Sequence, residues 1–375
     1  MKRFLYPFFV LFFSGCSSLP IYKPVPKLEQ NKVLVKNYHS SIRQNGETST
    51  YFDDKTCLDF PEENNEEISY LAISGGSDKG AYAAGFLNGW SDAGGRPEFD
   101  IVTGVSTGAL IAPFAFLGKD YDSTLKKMYT TMKEENIFVS GFVDVLDGLT
   151  GGMAVADTSP LREQLEFYIT EEIVEKIAVE HRNGRRLYMS STNLDSQKPI
   201  IWNIGEIANS GREDSIDLIH NIMLASSAIP GVFPPVFFDV EYNGNNYKEV
   251  HVDGSVVSNV LFPPDVFEKK CGYDRKMYII RNSKLHSEYE VVKPSMFNIF
   301  SRSIASVVKY QAYGDLYRMY VVLDNNDIDY NLTYIPDDFD HERENPVFDI
   351  EYMRALYDRA YKDSNNNFEW KKNPF

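Results

Sequence analysis

The sequence predicts an α/β three-layer sandwich, with a mostly parallel central sheet, helices on both faces and a helical C-terminal extension. Three observations carry this. Between Ile68 and Arg281, short apolar runs alternate with stretches of helical periodicity, the pattern that buries a parallel sheet between helices. Glycine-rich turns at residues 74–80 (SGGSDKG) and 104–108 (GVSTG) sit where strands hand over to helices. Beyond about residue 286 the chain turns to long helical stretches rich in aromatic residues.

The N-terminus opens with Met1-Lys2-Arg3, a short basic region, and an apolar run from Phe4 to Phe13 that is too short to span a bilayer. Ser14-Gly15-Cys16 follows. Small residues directly before a cysteine resemble a bacterial lipobox. Residues 1–15 are therefore expected to be a lipoprotein signal peptide, with Cys16 acylated as the new N-terminus. Two or more acyl chains anchor stably where one does not. Ser17 and Ser18 lack a retaining aspartate, so outer-membrane placement is expected from the same resemblance.

Residues 16–67 read as a tether and lead-in, stiffened by Pro20, Pro24 and Pro26, with an edge strand near Lys32–Val35 and a solvated acidic run, Glu62–Glu67. The catalytic-sized unit spans 68–285. Tyr70–Ile73 reads as a buried strand, and Lys79–Asp92 as a helix with Ala81, Ala84, Phe86 and Leu87 inward. Phe99–Val102 is the next strand and Thr107–Leu117 the next helix, with Pro113 expected to kink it or end its first turns. Tyr121–Lys133 is helical. Ser140–Asp157 is a long glycine-rich connection of the kind that often covers a site. Ser159 is expected to cap a helix that has Pro160 at its first position. Arg186–Asn193 and Ile200–Ile204 read as strands, Ser215–Ala225 as a helix, Tyr247–Val252 as a strand after the turn Asn243–Asn246, and Met277–Arg281 as a strand. Residues 286–375 are expected to add helices over Met296–Leu323 and Ile350–Ala360, packed on the core.

Bulk charge excludes some functions. The net charge is −16, which argues against nucleic acid as a partner, because phosphate binding needs clustered Lys and Arg. It also argues against electrostatic adhesion to anionic lipid. Cys57 and Cys271 can pair in an oxidising compartment or remain two thiols, and neither has zinc-ligand spacing. No metal or cofactor is implied.

The chemistry gathers at three places. GVSTG lies between an apolar strand and an apolar helix, the setting of a nucleophile elbow in which a sharp turn lifts the Ser106 hydroxyl clear of the sheet. At a helix N-terminus, free N–H groups favour a developing negative charge. In SGGSDKG, successive N–H groups can form an anion-binding nest, and the stretch has neither a GK[ST] ending nor GxGxxG. In HVDGSV at 251–256, Asp253 ends a strand at the sheet edge where sites collect; a plain Asx turn is the commoner fate of Asp-Gly.

Taken in order, these motifs resemble the patatin-like phospholipase family over about residues 68–285. SGGSDKG is similar to its oxyanion loop, GVSTG to its elbow and DGS to its dyad motif, and Ala225–Val236 (ASSAIPGVFPPV) is similar to a block between them. The stretch Gly80–Gly118 is similar to a bacterial branch of the family. The resemblance implies a lipid acyl hydrolase acting on phospholipids or other acyl esters, with Ser106 as nucleophile and Asp253 as proton acceptor. Backbone N–H groups of Gly75, Gly76 and Ser77 would form the oxyanion hole. Lys79, Gly104, Gly108 and Gly254 would support the site. Ser77 stands where the family has glycine, and would be strained if its φ is positive.

A histidine-containing triad is the nearest enzymatic rival. It would draw on His286 or His341, downstream of Asp253, or on His251; none lies in a pattern that marks a catalytic histidine. Two further readings stay open at the level of sequence: acyl transfer through the same acyl-enzyme, and a non-catalytic lipid-anchored binding protein.

Overall fold

The computed structural model describes residues 22–46, 67–139, 154, 156–263, 273–344 and 347–375. The signal region with Cys16, the residues Cys57 and Cys271, the acidic run at 62–66 and the glycine-rich stretch at 140–153 lie outside the described residues.

The lead-in supplies strands β1 (Leu34–Val35) and β2 (Arg43–Asn45). Then come β3 (Glu67–Ile73), α1 (Ala81–Asp92), β4 (Ile101–Val105), α2 (Thr107–Leu117) and α3 (Asp122–Thr131). Next are α4 (Ser159–Tyr168), α5 (Glu171–Arg182), β5 (Arg186–Asn193), β6 (Lys198–Asn203), α6 (Ile204–Asn209) and α7 (Ser215–Ser226). The hairpin β7 (Val236–Tyr242) and β8 (Asn245–Asp253) precedes β9 (Asp274–Arg281), α8 (Met296–Asp324), β10 (Ile328–Tyr334) and α9 (Ile350–Ser364).

The centre of the sheet is parallel, in the order β5-β4-β3-β9-β10. Its inner strands read as continuous apolar runs because both faces are covered; β3 is buried from Ile68 to Ile73. Antiparallel strands extend the sheet through β8, β7 and β1, and through β6 and β2. One face packs on the larger core, which includes Phe86, Leu87, Phe114, Phe116, Ile219 and Met223 from α1, α2 and α7. The other packs on the C-terminal half of α8, where Leu316, Met319 and Leu323 lie against Tyr70, Ile101, Met277 and Ile279. Burying each such side chain is worth about 1.5–3 kcal/mol.

Several expectations are corrected. Residues 22–46 are not a loose tether, since Val25 and Val33 pack on Val240 and Arg43 pairs with the buried Glu249 at 2.5 Å. The stretch beyond 286 is not only helical: β10 joins the central sheet parallel to β9. Gly85 and Gly89 of α1 let α9 approach so closely that a Cβ on either would meet the carbonyl oxygens of Tyr357 or Tyr361. Pro113 does not end its helix, because α2 runs through it to Leu117. Ser159 is not the cap of α4; the Asp157 carboxylate accepts its N–H at 2.9 Å and its hydroxyl at 2.8 Å.

Candidate active site

The register of β5 brings the two key motifs together. β6 occupies one edge of β5 along residues 188–193. β4 and β8 share the other edge and approach from opposite ends, with Val105 opposite Ser190 and Asp253 opposite Ser191. The two strands therefore finish head to head. Ser106 and Asp253, the next and last residues of the two runs, meet where they stop. Asp253 ends a strand as expected, and that strand, β8, runs antiparallel to β5 rather than with the parallel centre of the sheet.

Ser106 donates its hydroxyl to Asp253 Oδ2 at 2.7 Å. Its backbone is strained, with φ 54° and ψ −124°, a conformation that persists only where the surroundings fix it. Ser226 Oγ accepts the Ser106 N–H at 3.0 Å, and the Ser106 carbonyl accepts the Ala109 N–H at 2.8 Å. The elbow glycines permit the turn by close approach. A Cβ on Gly104 would strike the Gly108 carbonyl, and one on Gly108 would strike that of Ile73. Gly254 likewise lies against the Ser190 carbonyl.

Asp253 is buried, and burial pushes its carboxyl up to about 6 against the opposing pull of the Ser255 N–H and the Ser106 hydroxyl. The Ser255 N–H donates to Oδ1 at 2.7 Å, leaving Oδ2 to Ser106. A carboxyl near neutrality is a better base than an ordinary one.

The glycine loop differs from expectation in two ways. The Gly75 N–H is already spent on the Asn259 carbonyl at 3.1 Å, so it does not face the site as a free donor. Gly76 and Ser77 have N–H groups with no acceptor among the described residues, and Ser77 has φ 57°, the strained sign anticipated for a serine there. The Lys79 N–H donates to the Gly76 carbonyl at 3.2 Å, while its ammonium makes no hydrogen bond or ion pair among the described residues; burial lowers its pKa. The loop is held instead by Asn282. Its N–H donates to Ser74 Oγ at 2.8 Å, its Nδ2 to the Ser74 carbonyl at 2.9 Å, and its Oδ1 accepts the Ala83 N–H at 3.1 Å.

Ser106 and Ser77 open onto a cavity of roughly 740 Å³, part of it open to solvent. Its walls are apolar, including Leu110, Phe114, Met128, Leu165, Met223 and Phe233. Ser227 Oγ also lines it and is buried with no hydrogen-bond partner among the described residues. Ile137 lines the wall, and Val139 pairs with Asp157 beside it. Val139 and Asp157 bound the expected site cover, whose residues 140–153 lie outside the described residues.

The histidines are engaged elsewhere. His251 bonds Ser191 Oγ at 2.8 Å and lies 3.3 Å from Glu249, and burial lowers its pKa. His286 bonds Asp337 at 2.5 Å and is exposed, and His341 stacks on Phe339. Neither Asp253 oxygen accepts from a histidine; a triad is not assembled among the described residues. No group of three metal-ligating side chains occurs among them either.

Sequence reasoning missed Ser226, Asn259, Asn282 and Asp315. Ser226 lies inside the block Ala225–Val236, where no local pattern marks it as a contact of the elbow. Asn259 follows the DGS motif closely, and its Nδ2 donates to Ser255 Oγ at 3.1 Å. Asp315 accepts the Asn259 N–H at 2.9 Å from α8, far along the chain.

Residues 71–266, just over half of the chain, match the family described as patatin-like phospholipase. Among solved structures, the crystal structure of VipD from Legionella pneumophila aligns with 83% of this chain and 69% of its own, at 11% identity and a TM-score of 0.40. No curated protein matches.

Proposed function

The chain belongs to the patatin-like phospholipase family, and we propose that it is a serine-type lipid acyl hydrolase, of phospholipase A or lysophospholipase kind, with Ser106 as nucleophile and Asp253 as its base. Membership supports hydrolysis of lipid acyl esters in general; the residue roles are our reading. The observation that carries it is the 2.7 Å bond from the Ser106 hydroxyl to a buried carboxylate at an apolar cavity.

The steps follow from that geometry. The Ser106 proton passes to Asp253 Oδ2 as Oγ bonds the ester carbonyl carbon. The resulting oxyanion is met by the N–H groups of Gly76 and Ser77, and loss of one such donor costs about 3–4 kcal/mol. The tetrahedral centre collapses, the C–O bond to the leaving alcohol breaks, and Asp253 returns its proton to that oxygen. Water then attacks the acyl-Ser106 ester by the same route, giving a fatty acid and restoring the hydroxyl. A serine hydroxyl is a poor nucleophile without such a base. The apolar cavity holds the acyl chain.

We further propose that residues 1–15 direct export and that Cys16 carries the lipid anchor, at the outer membrane, which would hold the enzyme beside its substrate at high effective concentration. The test of the activity is a fluorophosphonate probe together with short- and long-chain acyl esters, applied to the protein and to Ser106→Ala. Labelling and turnover that vanish in the variant are expected. Turnover that survives it would overturn the assignment.

A further inference from the structure

The N-terminal half of α8 has an apolar face with no cover among the described residues. Met296, Ile299, Phe300, Ile304, Val307 and Tyr310 recur at helical spacing on one side. Met296 is 84% exposed, Phe300 58% and Val307 62%. In the preceding segment Tyr289 and Val291 are exposed as well. The C-terminal half of the same helix is buried against the sheet through Leu316, Met319 and Leu323, so the outer half projects from a fixed base.

Charge separates the occupants of this face. The chain has 54 acidic residues in 375, yet none falls between 296 and 314. The two basic residues there, Arg302 and Lys309, lie on the opposite side of the helix. Arg302 pairs with Glu290 at 2.8 Å and Lys309 with Glu288 at 3.3 Å. What remains on the outward side is the apolar strip with Ser303, whose hydroxyl donates to the Ile299 carbonyl at 2.7 Å; it is free of carboxylates and about 20 Å long at the rise of a helix. That profile suits burial at the boundary of headgroups and acyl chains, where carboxylates would be expelled. No helix among the described residues is long and apolar enough to cross a membrane, so this one would lie on a bilayer.

The helix is also tied to the site. Asp315 on α8 accepts the Asn259 N–H at 2.9 Å, and the Asn259 carbonyl in turn accepts the Gly75 N–H at 3.1 Å. The same Asn259 bonds Ser255, two residues after Asp253. A surface seated along α8 is thus mechanically continuous with the glycine loop and the Asp253 turn.

We propose that the exposed face of α8 from Met296 to Tyr310 is an interfacial docking surface that seats the enzyme on a phospholipid bilayer beside its active site. This rests on the lipid hydrolase reading for its motive, but its test does not depend on turnover. Phe300→Trp is made in the full chain carrying Ser106→Ala, so that the lipid stays intact, and is mixed with vesicles of brominated phosphatidylcholine. A zwitterionic lipid is used because the net charge of −16 opposes an anionic surface. The three native tryptophans are Trp90, Trp202 and Trp370, and all pack within the fold. Quenching of the new tryptophan beyond that of the parent is expected; no added quenching overturns the proposal. The second arm is Ile299→Ser/Phe300→Ser/Val307→Ser with Ser106 intact. The ratio of its turnover on phosphatidylcholine vesicles to that on a soluble short-chain ester should fall at least about tenfold, and an unchanged ratio overturns the proposal. Loss of self-association in the triple variant, with no quenching in the first arm, would assign the face to a second copy of the chain and also overturn it. A protein that is quenched by lipid but hydrolyses no ester would keep the docking surface and sink the hydrolase reading.

Discussion

At the scale of single residues, the acid of the pair is held where charge is expensive. Asp253 has a folded pKa of about 6 against an ordinary 3.8, because it is buried. The native state therefore holds its proton more tightly than the unfolded chain. The stability linked to this group is fully present in acid and is lost as pH rises through about 6. Asp253→Asn should accordingly be inactive yet more heat-stable at about pH 8, with an advantage of up to a few kcal/mol that closes near pH 4. Thermal unfolding of both proteins across that range checks it, and a pH-independent difference would contradict the burial account. In the wild type, kcat/KM should rise with pH around an apparent pKa near 6, as a base that must be ionised requires. Ser77 offers a second test. At φ 57° a serine is strained, so Ser77→Gly should raise the unfolding midpoint by the equivalent of about 0.5–1 kcal/mol while keeping activity, because only the backbone N–H is used. The turn at Ser106 was legible in the sequence because a strand, a sharp turn and a helix are local patterns, whereas Asp253 stood out only through the resemblance, since Asp-Gly is more often a plain Asx turn. The state of the Gly75 N–H was not legible, since its acceptor, the Asn259 carbonyl, comes from a turn that only the assembled sheet brings near.

At the scale of elements, one helix serves two surfaces. The inner half of α8 closes the second face of the sheet, and Asp315 at its waist fixes the turn at Ser258–Val260. Asp315→Ala would strand a buried Asn259 N–H, at about 1–3 kcal/mol, and would loosen the turn that receives Gly75. We expect kcat to fall about tenfold with KM little changed, and Asp315→Asn, which keeps one acceptor, to recover part of the loss. Equal kinetics in Asp315→Ala and wild type would show that the turn does not need this support. Most strands and helices were readable from apolar runs and helical periodicity, including both long C-terminal helices. β10 was overlooked although Ile328, Tyr330 and Leu332 alternate with Asp329, Asn331 and Thr333, the period-2 pattern of a strand, because the residues beyond 286 read as helical on either side of it. Of the lead-in strands, β1 was expected near Lys32–Val35 and is found at Leu34–Val35, whereas β2, three residues long, is set in place only by its pairing with β6.

For the whole molecule, the question is whether residues beyond 286 are an appendage or part of the one fold. Sequence alone pointed to an extension packed on the core, because the motifs end before it and the chain turns there to long helical stretches. The structure makes it integral. β10 covers the open edge of β9 along seven residues, and α9 seats its backbone on the glycine-lined face of α1. The last residues return as well: Lys371 exchanges backbone hydrogen bonds with Leu332, and Trp370 stacks among Phe86, Trp90 and Tyr278. A chain ending at Asp324 would keep Ser106, Asp253 and the glycine loop but lose β10, α9 and that aromatic cluster. It would leave the β9 edge unpaired and Phe86 and Trp90 open to water, and an exposed hydrophobic edge strand is a template for aggregation. It would also remove Arg343, the partner of buried Asp78 in the loop that follows Ser77. We therefore expect the shortened chain to be insoluble, or soluble without a cooperative thermal transition, and unreactive toward the fluorophosphonate probe. A soluble, cooperatively unfolding, probe-reactive chain ending at Asp324 would show that the catalytic unit closes on its own and that the C-terminal residues are accessory after all.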